Sequence, residues 1–172
     1  MAKSKLAAIA HISCKGNPIS ITSCTNFLGL ALYSTLSWKT HIDQLSSKLN
    51  TECYVIGSLK SVISTRNLRT IFFPYVHSII TYGIIFSGNS SQSNNIFKLQ
   101  KRTIRIIMNV DNRVSYHELF KKLNILPLHS QYILSLLLFV VKNIEQFISN
   151  SAVHSINTRY RLDLISTINK TD

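Results

Sequence analysis

Apolar residues recur through the middle of this chain at spacings of three and four, the period of helices packed by one face. In residues 94–109, Ile96, Phe97, Ile104, Ile107 and Met108 share one side of a helix drawn at about 100° per residue, with Leu99 and Ile106 at the boundary. Lys98, Lys101, Arg102 and Arg105 fall on the opposite side, at i, i+3, i+4 and i+7. The pattern predicts a helix held by one face that offers a row of positive charge on the other.

The segments around it read in the same way. Ser37 is placed to cap a helix over 37–63, with Trp38 and His41 in its first turns and Asp43 near its positive end. Its apolar stripe is Ile42, Leu45, Leu49, Val55, Ile56 and Leu59. Ser64-Thr65 opens a second helix through Leu68, Ile71 and Phe72, which Pro74 must bend or interrupt before it continues past Tyr75, Ile79 and Tyr82 to about residue 86. Residues 87–91 are a loop, and Asp111-Asn112 ends the basic helix. A short helix over 115–123 turns Leu119, Phe120 and Leu123 inward and Lys121 and Lys122 outward. Residues 128–148, entered at Pro127, are apolar almost all round, as in a buried central helix or one whose partner surface is missing. A bilayer span needs about twenty mostly apolar residues, and the uninterrupted run here is roughly ten.

Before these helices, Asn17-Pro18 reads as a turn, and 19–33 alternates with many β-branched residues. Two strands, 19–23 and 27–33, are predicted to form a hairpin. Gly29, inside the second, marks a bulge, a close approach of another backbone, or an ordinary kink. The polar tail from 149 is expected to be loose. The fold class is therefore mainly α, a helical bundle preceded by a short β-hairpin.

Charge changes the picture more than composition does. The 172 residues hold 19 Lys and Arg against 7 Asp and Glu, a formal +12, while 45% hydrophobic content argues against disorder. Such an excess implies an acidic partner, nucleic acid first and an anionic membrane surface second. Between residues 98 and 122 stand Lys98, Lys101, Arg102, Arg105, Arg113, Lys121 and Lys122 against only Asp111 and Glu118. Cys14, Cys24 and Cys53 show no C-x-x-C spacing, so reduced thiols are expected. The short apolar run of the opening residues is weakly hydrophobic, broken by His11 and without a convincing cleavage site, so a signal peptide is rejected and an intracellular protein is predicted, nuclear or cytoplasmic rather than secreted.

Patterns for catalysis are missing. The acids stand at Asp43, Glu52, Asp111, Glu118, Glu145, Asp163 and Asp172, with no close pair to hold two metal ions. No G-x-S-x-G, P-loop or G-x-G-x-x-G appears. His11, His41, His77, His117, His129 and His154 never adopt H-x-x-x-H spacing, and they read as structural or surface histidines. Tyr54, Tyr75, Tyr82, Tyr116 and Tyr132 read as core rather than as a platform for stacked bases. No catalytic residue, metal, cofactor or small-molecule substrate is predicted.

Four stretches in order, NFLGLALYSTLSWKTHI, FFPYVHSIITYGIIFSGNS, IFKLQKRTIRIIM and SYHELFKKLNILPLHSQYILSLLLFVVKN, resemble the C-terminal part of reverse transcriptases from jockey-like non-LTR (LINE) retrotransposons. The resemblance covers about residues 17–160 and is specific as a set. It implies that 17–36 is a hairpin from the end of a palm domain, with Phe27, Leu28 and Gly29 as the primer-grip motif. It further implies that 37–125 is a thumb lying along the primer–template duplex, 126–150 the apolar helix of a linking region, and 151–172 a loose tail. Residues 1–16 have no counterpart. The family's polymerase centre needs an early aspartate and a later Asp-Asp pair, and this chain has no Asp-Asp. The expectation is a truncated remnant, not an enzyme, that holds an RNA/DNA primer–template through Lys98, Lys101, Arg102 and Arg105. Its protein partners would be the missing palm and fingers or a second copy. The alternatives are a helical protein–protein interaction module, or a decayed reading frame without selected function. A membrane partner ranks below these, because the basic helix carries a single aromatic, Phe97.

Overall fold

Helix α1 (Lys39–Leu59) buries His41, Ile42, Leu45, Leu49, Cys53 and Ile56, one residue every three or four along its length. A computed structural model describes residues 13–15, 17, 18, 20, 22–149, 151, 159 and 164–166. Helix α5 (Ser93–Met108) lies along α1, and the two form the most extensive helix pair among the described residues. Cys53, rather than the expected Val55, completes the stripe of α1; Val55 points to solvent because it is two positions off the Leu49–Cys53–Ile56 line. The Ser37 hydroxyl stands 3.5 Å from the Lys39 amide, but Trp38 occupies the cap position. Asp43 lies beyond the first turn, and the helix stops at Leu59.

Helix α2 (Thr65–Phe72) starts as expected, with the Ser64 hydroxyl accepting from the Asn67 amide at 3.4 Å. Pro74 does not end it. The chain passes through a π-helical turn, Phe73–His77, in which the Ser78 N–H bonds the Phe73 carbonyl, and then enters α3 (Ser78–Thr81). The wider turn accommodates a residue that cannot donate to the α-helical ladder. The real break comes later. Tyr82 is extended and Gly83 is left-handed at φ +68°, so α4 (Ile84–Ser87) is a separate short helix rather than a continuation. Asn109 and Asn124, both at φ 50°, end α5 and α6 (Tyr116–Leu123), and α5 therefore stops before Asp111-Asn112. One core joins these helices, including Ile42, Leu49 and Ile56 with Phe72, Val76, Ile80, Ile96, Ile104, Ile107, Phe120 and Leu128.

Helix α7 (Leu128–Lys142) departs from the expectation. It is shorter than 128–148, and a 3₁₀ turn, Ile144–Gln146, follows it. It is not central: only Leu128 is fully buried. Its inner side, with Leu128, Tyr132 and Leu136 at helical spacing, faces the bundle, and the Tyr132 ring lies against Gly88. Ile133, Leu134, Leu137, Leu138 and Val141 stay exposed.

The hairpin is present but shifted. Its strands are β3 (Cys24–Phe27) and β4 (Leu30–Tyr33), antiparallel with Phe27 opposite Leu30. Leu28 (φ 47°) and Gly29 (φ 77°) form the two-residue turn, with both residues in the left-handed region. Thr25-Asn26 is strand, not turn, and Gly29 is not inside a strand. Ile19 and Ile21 lie outside the described residues. Asn17-Pro18 is likewise not a turn: β2 (Asn17–Pro18) pairs with β1 (Ser13–Cys14), with Lys15 at φ 50° between them. Within the tail one segment is paired: β6 (Leu164–Ser166) runs antiparallel to β5 (Phe147–Ser149). Among the described residues no single helix is long and apolar enough to cross a membrane, and α6 and α7, which would do so only together, are bent by 50°.

Candidate nucleic-acid interface

Helix α5 directs its residues as the 3.6 period demands. Ile96, Gln100, Thr103, Ile104 and Ile107 are buried, and Lys98 and Arg102 stand exposed on the far side. The four cations share one half of the helix but do not share one environment. The Lys101 ammonium sits 4.5 Å from the centroid of the Phe97 ring and 5.1 Å from that of Tyr116. These rings meet edge to face at 5.5 Å, and His129 packs against Phe97 at 5.3 Å. A cation held over aromatic faces gains about 0.5–1 kcal/mol at such partly exposed sites. Arg105 ties down the loop after α5: its Nη2 donates to the Val114 carbonyl at 3.3 Å, while its Nε is buried without a partner.

Lys98 and Arg102 are different. Neither has a hydrogen bond or ion pair with the described residues, where the one salt bridge joins Lys121 to Glu118 at 3.4 Å. They stand one turn apart, about 6 Å of rise. Beside Lys98 an open groove of about 530 Å³ runs between α1 and α5, lined by Asp43, Ser46, Ser47, Asn50, Asn95, Lys98 and Leu99. Hydroxyls and amides that donate hydrogen bonds, next to a cation, are the groups that hold phosphate oxygens. Asp43 is the opposing charge in the groove, and the Ser46 hydroxyl is buried in its wall without a partner.

Phe27, Leu28 and Gly29 stand together at the hairpin tip. Phe27 and Leu28 are exposed, while Ala31 of β4 is buried and anchors the hairpin to α1. Gly29 is not met by another backbone, as expected, but by a side chain: a Cβ there would lie 3.5 Å from the Tyr82 ring. The Tyr82 hydroxyl donates to the Leu28 carbonyl. Tyr82, Tyr54 and Tyr75 are thus exposed rather than core, and Tyr116 and Tyr132 are half-buried.

His41 is buried, with both ring nitrogens unpartnered, edge-on to Trp38 at 5.9 Å. Burial, and secondarily the charge of Lys48, hold its pKa below the usual histidine value. Burial also lowers that of His77, which packs against Phe72 and Phe73. Cys24 is exposed and Cys53 buried, both free. Among the described residues no three His, Cys, Asp or Glu side chains group as metal ligands would.

Sequence reasoning missed three residues that position this surface. Gln100 donates from Nε2 to the Leu126 carbonyl and accepts at Oε1 from the Leu128 amide, both at 2.9 Å, and so clamps the entry of α7 onto α5. Arg69 donates to the Leu123 carbonyl and lies 5.0 Å over Phe73. Tyr82 holds the hairpin tip. Gln100 had a visible signal, a polar residue in line with Ile96, Ile104 and Ile107; the other two pair across 54 positions and had none. Compared with protein-family models, curated proteins and solved structures, the chain matches none of them.

Proposed function

We propose that this chain is a piece of a retroelement-type reverse transcriptase that holds nucleic acid by its backbone and performs no polymerase chemistry itself. The observation that carries the reading is the pair Lys98 and Arg102, exposed and unpaired among the described residues, with Lys98 bordering a groove rich in hydrogen-bonding groups. The formal +12 supports it, as does the ordered resemblance of the sequence to jockey-like reverse transcriptases. Contacts of this kind are independent of sequence and weaken as salt rises, because each neutralised phosphate releases counterions. The site divides the labour: Lys98 and Arg102 meet phosphate, while Lys101 and Arg105 hold α5 against the α6 region and lend long-range charge. Phe27 and Leu28, held out on the hairpin tip, provide an apolar contact for the primer end.

The test is binding of the purified chain to a primed RNA–DNA duplex across a salt series. With about 0.9 counterions released per phosphate contact, Lys98→Gln/Arg102→Gln lowers the slope of log K against log salt by roughly two. Lys101→Gln leaves the slope nearer the wild-type value. A double variant that binds like wild type removes this reading. Metal-dependent extension of the primer by the chain alone would overturn the assignment of no polymerase activity.

A second reading, a helical interaction module, is favoured by a separate observation, the exposed apolar side of α7.

A further inference from the structure

Helix α7 is apolar on two opposite sides, and the bundle covers the first turns of only one, leaving Phe139 there exposed. Ile133, Leu134, Leu137, Leu138 and Val141 occupy the other side within an arc of roughly 140° on a 100° repeat, with Leu137 59% and Val141 68% exposed. Leu134, Leu137, Val141 and Ile144 follow one another at steps of three, four and three, preceded four positions earlier by Ser130. That is the seam of a two-helix coiled coil, although Ile144 already lies in the 3₁₀ turn. No charge falls on the seam; Lys142 is the one charged residue of α7 and stands at its C-terminal end.

We propose that this side of α7 pairs with the same side of a second copy, an inference independent of the nucleic-acid reading. Three features select this occupant. The first is area. The exposed side chains present roughly 500 Å² of carbon, at the upper end of what a monomer leaves uncovered and a large part of the roughly 800 Å² per partner that a stable interface uses. The second is self-complementarity: in a two-fold arrangement of this face Leu137 meets Leu137 of the other copy. The third is charge. A seam without acids offers nothing to a basic partner, and one without cations offers nothing to an anionic one.

The full chain is measured by sedimentation velocity over a dilution series at low and high salt, without nucleic acid. The expected result is a reversible dimer that tightens as salt rises, since screening relieves repulsion between two chains of net charge +12. This is the opposite sign to nucleic-acid binding. Leu137→Glu/Val141→Glu weakens the dimer roughly a hundredfold or more, since like charges facing across an apolar contact cost several kcal/mol. Circular dichroism confirms that this variant keeps its helices. The contact is read by mild oxidation in a background with Cys14, Cys24 and Cys53 replaced by serine or alanine: Leu137→Cys cross-links to itself. A monomer at every concentration and salt, a dimer indifferent to the double glutamate variant, or a Leu137→Cys dimer that fails to cross-link would each overturn the proposal. So would a monomeric wild type that floats with vesicles of phosphatidylserine and phosphatidylcholine, which would give the face to a membrane surface.

Discussion

Helices α5 and α7 have similar lengths and both carry abundant leucine, isoleucine or phenylalanine, yet they sit in the bundle in opposite ways. In α5, four cations and two asparagines confine the apolar residues to one side, and burial follows that side, taking Gln100 and Thr103 in with Ile96, Ile104 and Ile107. In α7, Lys142 is the sole charge, apolar residues lie all round, and nothing along the sequence tells the covered side from the bare one. The lesson is about information rather than stability. Polar positions fix the rotation of a helix about its axis, because burying a charge without a partner costs far more than exposing a leucine. A helix without them takes its rotation from its neighbours.

Ile104→Ala, on the buried side of α5, should lower unfolding stability by about 3 kcal/mol, the cost of lost burial and a residual cavity. Urea denaturation checks it, and a loss under about 1 kcal/mol would mean that the α1–α5 contact is loose. Gln100→Leu should cost about 2 kcal/mol, because the Leu126 carbonyl and Leu128 amide lose their partners in a dry site. The same change should raise hydrogen exchange at the start of α7 more than elsewhere. At the small end, Leu137→Gln on the bare side of α7 should move the stability of the monomer by no more than about 0.5 kcal/mol. A larger loss would show that this side is covered within a single chain.

Buried polar groups sharpen the contrast further. Gln100 is satisfied at both ends, whereas His41 has no partner for either nitrogen. The folded pKa of His41 lies below 6.5 because burial disfavours the cation, so the unfolded chain takes up its proton first as pH falls. Stability is therefore full above about 6.5, the unfolded value, and is lost as pH drops from there toward the folded value. His77 acts in the same direction. Denaturation midpoints between pH 7.5 and 5 should fall in wild type and fall less in His41→Phe. Equal pH dependence in the two would remove His41 from the account.

The candidate site was legible in part, for the same reason. The 3.6 period put Lys98, Lys101, Arg102 and Arg105 on the outer half of α5, and all four are there. It could not separate the two that face water from the two already engaged, because the Tyr116 ring and the Val114 carbonyl that engage them come from later elements. The hairpin was legible as a pair of strands but not in its register. Alternation over 19–33 is compatible with several turn positions, and a leucine at φ 47° is an unfavourable choice for a turn residue. The turn at Leu28-Gly29 is held by the Tyr82 hydroxyl on the Leu28 carbonyl, a contact 54 positions away.

The sequence by itself determined the helical class, the helices that carry both polar and apolar sides, the excess of positive charge and the direction in which α5 presents it. Those properties depend on residues three or four apart, and local spacing encodes them completely. Tertiary structure decided which cations remain free, what holds the hairpin turn and which side of α7 stays bare. Each of these depends on a contact made outside the element itself or on the absence of one, and no periodicity within a single element carries that information.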